Sequence, residues 1–146
     1  MTPRDWTLLV IAAAEGKTLQ PVQLQKALFL LGKRLTPQQR QTHEFYEFTA
    51  YDYGPFDSTI YTDAESLEAE GLIAITRPPV SRYKLYQATE EGLKRAAEVR
   101  AGLQPLAVEY VAKVVQVVRA LSFNDLVSAI YKAYPEMREN SVFKEA

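Results

Sequence analysis

Residues 57–102 contain the strongest constraint on the fold, because helix and strand signals follow one another there without a gap. Apolar residues at helical spacing predict a helix over about 57–70, and Gly71 suits the left-handed turn that ends it. The segments "LIAIT" and "RYKLYQA" predict two short strands joined by the turn "RPPVS". Thr89 then caps a helix that Gly102 ends. The stretch therefore predicts a helix, a β-hairpin and a second helix in direct succession.

Helices are also predicted on both sides of this stretch. Thr2 and Pro3 mark the start of one helix, and Pro21 opens another whose leucines follow one face. Between them and the 57–70 helix, "TPQQRQTH" is predicted to be a polar loop, "FYEFTAY" a strand and Tyr53-Gly54-Pro55 a turn. Further helices begin near Pro105 and at Ser122, and the polar residues after Pro135 are predicted to be loosely held. The fold class predicted is α+β, mostly α.

Composition narrows the class of protein. The chain has 146 residues, 47% of them hydrophobic, which suits one domain with a substantial core. It contains no Cys, so disulfides and thiolate metal sites are excluded. The apolar run near the N-terminus ends after about nine residues, too short to span a bilayer. A cytoplasmic protein without a membrane segment is expected.

The order of the elements and a set of motif residues resemble winged helix-turn-helix regulators of the PadR and MarR type. The resemblance covers about residues 20–100, and the matching residues are Leu67, Glu68, Gly71, Leu72, Ile73, Tyr83, Leu85, Thr89 and Gly92. It implies a winged helix-turn-helix domain over 1–102, in which the hairpin is the wing. Residues 103–146 are then a C-terminal helical extension, either part of the same compact domain or dimerisation helices.

A second resemblance concerns the first half of the chain. "LQKALFL" at 24–30, Tyr53-Gly54-Pro55 and Tyr61 are similar to the Panacea domain, which is found in antitoxins of bacterial and phage toxin–antitoxin systems. Phe56 and Ala27 depart from the usual residues at their positions. The resemblance implies that the partner is another protein, with or without DNA.

The charge of the predicted reading helix conflicts with a role in the DNA groove. Residues 43–71 carry eight carboxylates and no Lys or Arg, whereas the whole chain has a net charge of only −1. DNA affinity comes largely from Lys and Arg, so a row of carboxylates repels the duplex. The hydroxyls of the first turn and the cations of the wing and second helix are the remaining candidates for contact with double-stranded DNA. These DNA-binding candidates are Ser58, Thr59, Thr62, Arg77, Arg82, Lys84 and Lys26.

The same acidic face suits a basic protein partner. Asp63, Glu65 and Glu68 are predicted to dock such a partner, together with Tyr53 beside the Gly-Pro turn. Two functions therefore stay open. The first is a small prokaryotic or phage regulator, of transcription-factor or antitoxin type, that binds DNA through the wing and the start of the reading helix. The second is a Panacea-like module that docks a basic partner such as a toxin or defence protein.

Catalytic signals are weak, so the protein is predicted not to be an enzyme. His43 is the single histidine and is not accompanied by a nucleophile motif. Neither a metal site nor a cofactor is predicted.

The helix that begins near Pro105 predicts the oligomeric state. Its apolar stripe must be covered by the domain or by a second copy of the chain, and a homodimer through this helix is expected. The stripe consists of Leu106, Tyr110, Val114, Val117, Val118 and Leu121, widened by Val111 and Val115.

Overall fold

A computed structural model describes residues 1–144 and confirms an α+β fold that is mostly helical. Its described part consists of seven α-helices, a 3-10 helix at Pro135–Arg138 and two antiparallel hairpins. The elements are α1 (Pro3–Ala12), α2 (Pro21–Arg34), α3 (Pro37–Arg40), β1 (Thr49–Tyr51), β2 (Gly54–Phe56), α4 (Thr59–Ala69), β3 (Ile73–Thr76), β4 (Leu85–Ala88), α5 (Glu90–Ala101), α6 (Pro105–Ala120) and α7 (Phe123–Ala133).

Helix α1 is the centre of the core. The predicted cap is confirmed, because the Thr2 hydroxyl accepts from the backbone N–H of Asp5 and the Asp5 carboxylate accepts from that of Thr2. The prediction of a single apolar face is too narrow, since every side chain from Trp6 to Ala12 is buried. The helix is enclosed by α2, α4, α5 and α6, so all of its faces meet other elements.

The β3–β4 hairpin and the helices beside it agree with the sequence prediction. Ile73 lies opposite Ala88 in the antiparallel register. Gly71 has a φ of +76° where α4 ends, and Thr89 caps α5 by accepting from the backbone N–H of Gly92 at 3.1 Å. One contact was not predicted: Leu19 forms a β-bridge to Tyr86 of β4 and extends the edge of the hairpin.

Glycine at position 92 lets α5 approach the hairpin closely. A Cβ atom at Gly92 would lie 1.8 Å from the carbonyl oxygen of Leu72, a backbone atom that cannot move aside independently. The contact fixes the first turn of α5 against the start of the hairpin, so α4, the hairpin and α5 form one packed unit.

Residues 36–56 differ most from the prediction. The predicted polar loop contains the short helix α3, because Thr36 and Gln39 form a reciprocal cap around Pro37. The strand predicted over 45–51 is confined to β1, since the backbone N–H of Glu47 donates to the Asp57 carboxylate instead of to a neighbouring strand. The predicted turn at 53–55 is also shifted, because β2 already begins at Gly54.

The C-terminal region packs onto the rest of the chain. Helix α6 lies against α2, and α7 contacts β2. The prediction of a loose tail after Pro135 is wrong for the described residues: the backbone N–H of Val142 donates to the carbonyl of Asp52 at 2.9 Å, and Asn140 donates to that of Ala50. The predicted extension is therefore mainly helical over 103–144, and residues 145 and 146 lie outside the described part.

The apolar stripe of α6 divides between two environments. Val111, Val114, Val115 and Val118 are buried, whereas Leu106 and Val117 are 62% and 44% exposed. The four buried valines are thus covered by the domain itself. The homodimer stays a prediction, and its interface would have to use the exposed residues Leu106 and Val117. None of the helices among residues 1–144 combines the length and apolar character needed to cross a bilayer.

Candidate functional site

An open groove of about 1060 Å³ follows the N-terminal half of α4, between that helix, residues 43–47 and the start of α1. We call it the acidic groove, because four carboxylates line it and Arg4 is its one lysine or arginine. The four are Glu44, Glu47, Asp57 and Asp63. The Arg4 guanidinium contacts the Glu70 carboxylate, which offsets its charge. The groove therefore has a net negative charge.

Two of these carboxylates also hold the groove together. The Tyr46 hydroxyl donates to Asp63 at 2.6 Å and is hydrogen-bonded to the buried Thr7 hydroxyl at 2.7 Å. Burial, together with the hydrogen bond to Asp63, raises the pKa of Tyr46 far above its usual value, so the hydroxyl stays protonated as a donor. Asp57 accepts from the backbone N–H groups of Glu47 and Thr59, each at 2.8 Å. Glu44 and Glu47 are left exposed and available to a partner.

Arg77, which follows β3, pairs with Glu68 of α4, although the sequence predicts that Arg77 contacts DNA and that Glu68 contacts a protein partner. The Arg77 guanidinium donates to both oxygens of the Glu68 carboxylate, at 2.9 and 2.8 Å. This bidentate pair holds the pKa of Glu68 below its ordinary value. Arg77 is therefore not a free cation for phosphate, and Glu68 is not a free anion for a basic partner.

Lys26 is the clearest correction to the predicted DNA contacts. Its side chain is only 3% exposed, and its Nζ donates to the carbonyl of Pro55 at 3.2 Å. Burial lowers the pKa of Lys26 to about 8. Lys26 lies on α2 as the sequence predicts, but its side chain is buried beneath β2 instead of projecting toward a phosphate. The prediction that Lys26 contacts DNA does not fit this position.

The remaining DNA candidates are accessible but lie in two different settings. Ser58, Thr59 and Thr62 are exposed at the start of α4, and Thr59 lines the acidic groove. Arg82 is exposed and Lys84 half-buried in the connection between β3 and β4, and neither has a carboxylate within 4 Å among residues 1–144. The hydroxyls are thus beside negative charge, whereas Arg82 and Lys84 form no ion pair, although Lys84 lies close enough to Glu68 to help lower the pKa of that carboxyl.

The predicted protein-binding residues do not form one surface. Asp63 lines the acidic groove, whereas the Glu68 carboxylate on α4 is paired with Arg77, which follows β3. Glu65 is exposed on α4. Tyr53 is 45% exposed, as expected, but its ring lies against Phe123 of α7 at 5.1 Å. Glu44 and Glu47 are not among the candidate site residues that the sequence predicts, because it predicts a loop and a strand over residues 43–47.

No group of three His, Asp or Glu side chains within residues 1–144 is arranged to hold a metal ion.

No protein-family model matches the chain, and no curated protein matches it significantly.

Proposed function

We propose that this protein is a small non-enzymatic prokaryotic or phage regulator, built on a winged-helix scaffold, whose acidic groove docks a basic segment of another protein. A toxin or defence protein is the class of partner that the Panacea resemblance implies. The single observation that carries the proposal is the groove itself, where Glu44 and Glu47 stand exposed beside the start of α4.

The winged-helix interpretation is supported by the order and contacts of the elements. Helices α1, α2 and α4 precede the β3–β4 hairpin, and the bridge from Leu19 to Tyr86 supplies a short third strand at its edge. In this scaffold α4 has the position of the reading helix, and the hairpin that of the wing. The helix α3 and the hairpin β1–β2 are then an insertion before the reading helix.

The charges around α4 favour a protein partner over the DNA groove for this helix. Its first turn is flanked by Asp57 and by Glu47, and Asp63 follows one turn later. Phosphates and carboxylates repel each other, whereas Lys and Arg of a basic peptide find complementary charge in such a groove. Rim charges of this kind mainly raise the association rate and set specificity.

Binding of a fluorescein-labelled arginine-rich peptide, followed by anisotropy at low salt, tests the proposal. Glu44→Lys with Glu47→Lys should weaken binding at least tenfold, because two attractive contacts become repulsive. The matched control, Glu98→Lys with Glu109→Lys, reverses two exposed charges outside the groove and should bind like the wild type. Equal loss in both double variants would mean that only net charge matters, and no loss in the groove variant would reject the site.

A second function is favoured by the free cations of the hairpin. Arg82 and Lys84 lack a carboxylate partner within 4 Å in residues 1–144, as a wing that contacts phosphate requires. DNA would then be bound through the wing, and the hydroxyls of Ser58, Thr59 and Thr62 at the start of α4 would supply the other contacts. The hairpin cations do not line the acidic groove, but Thr59 does, so a basic segment in the groove and DNA at the start of α4 would compete for that end of the helix.

Gel-shift titrations on duplex DNA from upstream of the protein's own gene test this second function. Arg82→Ala with Lys84→Ala should weaken binding to every duplex and lower the slope of log affinity against log salt by about two. Lys94→Ala, on exposed α5, is the control. Affinity that does not depend on salt, or that survives the double substitution, would contradict DNA binding through the wing.

A further inference from the structure

A cavity of about 420 Å³ lies between α1, α5 and α6, and its lining shares no residue with the acidic groove. Most of its wall is apolar, as in pockets that bind small molecules. The apolar lining includes Leu9, Leu93, Leu103, Val108 and Val111. We call it the helical pocket. Three separate helices supply its wall, so the pocket is a product of the tertiary fold.

The helical pocket is lined by two charged side chains, one cation and one carboxylate, Arg100 and Glu15. Arg100, in the last turn of α5, lines it and makes no side-chain hydrogen bond or ion pair within residues 1–144. Glu15 also lines it but lies more than 4 Å from any cation in that part of the chain. An adjoining groove shares Glu15 with the pocket and adds Lys17 and Arg119. Taken together, the helical pocket and the adjoining groove hold three cations and one carboxylate, which favours an anion over a cation in this region.

We propose that the helical pocket binds a small amphipathic monocarboxylate, with its apolar body between α1 and α6 and its carboxylate on Arg100. The guanidinium is suited to this role, because it presents a planar pair of donors that matches a carboxylate. The volume indicates the size of ligand that the pocket can surround. At about 30 Å³ for each water-sized unit, it corresponds to about 14 non-hydrogen atoms.

The test uses the full chain labelled with ¹⁵N and titrated with octanoate, followed by amide chemical shifts. Saturable shifts are expected at the pocket lining on α1, α5 and α6, and not along the acidic groove. Arg100→Gln should weaken octanoate binding at least tenfold, since it removes a charge-assisted hydrogen bond. Its control is Arg95→Gln, an exposed arginine on the same helix that does not line the pocket.

Two further comparisons separate this site from general apolar binding. Octanol, which lacks the carboxylate, should bind at least tenfold more weakly than octanoate to the wild type. Ala112 lies at an exposed position of α6 and lines the pocket, so Ala112→Leu should abolish octanoate binding by filling the pocket, without lowering the melting temperature. The control is Ala97→Leu, at an exposed position that does not line the pocket, and it should leave octanoate binding unchanged. Equal affinity for octanol, unchanged binding by Arg100→Gln, or no saturable shift at millimolar octanoate would overturn the proposal.

Discussion

Replacing Lys26 by Met should stabilise the protein, although it removes a hydrogen bond. Lys26 is 3% exposed and has no carboxylate within 4 Å among residues 1–144, so its ammonium group is buried without a counter-charge. Burial lowers its pKa from 10.5 to about 8. At about 1.4 kcal/mol for each pKa unit, keeping the charge at pH 7 costs about 3 kcal/mol. Loss of the hydrogen bond to Pro55 costs about 1 kcal/mol, which leaves a net gain of about 2 kcal/mol.

The dependence on pH distinguishes this explanation from simple repacking. Because the folded pKa lies below the unfolded one, the unfolded chain binds more protons between about pH 8 and 10.5. Stability of the wild type therefore rises with pH across that window. Between pH 7 and 9.5 the wild type should gain about 2 kcal/mol relative to Lys26→Met. The difference between the two proteins should be close to zero at pH 9.5.

Urea unfolding followed by Trp6 fluorescence measures both effects, since Trp6 is the single tryptophan and is fully buried in α1. Lys113→Met, at an exposed position of α6, is the control and should change stability by less than about 0.5 kcal/mol at either pH. A Lys26→Met variant that is less stable than the wild type at pH 7 would refute the reasoning. So would a stability difference that stays constant from pH 7 to 9.5.

Three further predictions concern the groove, the core and α6. Tyr46→Phe leaves the buried hydroxyl of Thr7 without its partner and should lower the free energy of unfolding by about 1–3 kcal/mol in the same urea assay; an unchanged value would contradict the hydrogen-bond chain. Gly92→Ala should prevent stable folding, measured by circular dichroism, whereas Gly102→Ala, with its nearest neighbour at 3.6 Å, should fold normally. If α6 forms a homodimer, Val117→Glu should convert it to monomer in sedimentation at micromolar concentration, and a monomeric wild type would make the dimer prediction wrong.

The local signals that could be predicted are those carried by residues close in sequence. Thr2, Thr89 and Ser122 cap helices as expected, because a cap depends only on the next three residues. The burial of Lys26 could not be predicted, since it depends on a contact with Pro55, which lies 29 residues away. The length of the strand predicted over 45–51 is wrong for the same reason, because the Asp57 carboxylate accepts the backbone N–H of Glu47, which is ten residues away.

The acidic groove could be predicted only in part, because the carboxylates of residues 43–71 do not lie on one face. Glu68 is paired with Arg77 and Glu70 with Arg4, so two carboxylates at the C-terminal half of α4 have local cations. The carboxylates without such cations concentrate at the other end, where Glu44 and Glu47 lie on a segment that Asp57 draws toward the helix. The negative charge that a partner encounters at the start of α4 therefore depends on how residues 43–47 pack against that helix, a contact between residues distant in sequence. A basic segment that docks here must approach the start of α4, the end that a DNA-reading helix would present.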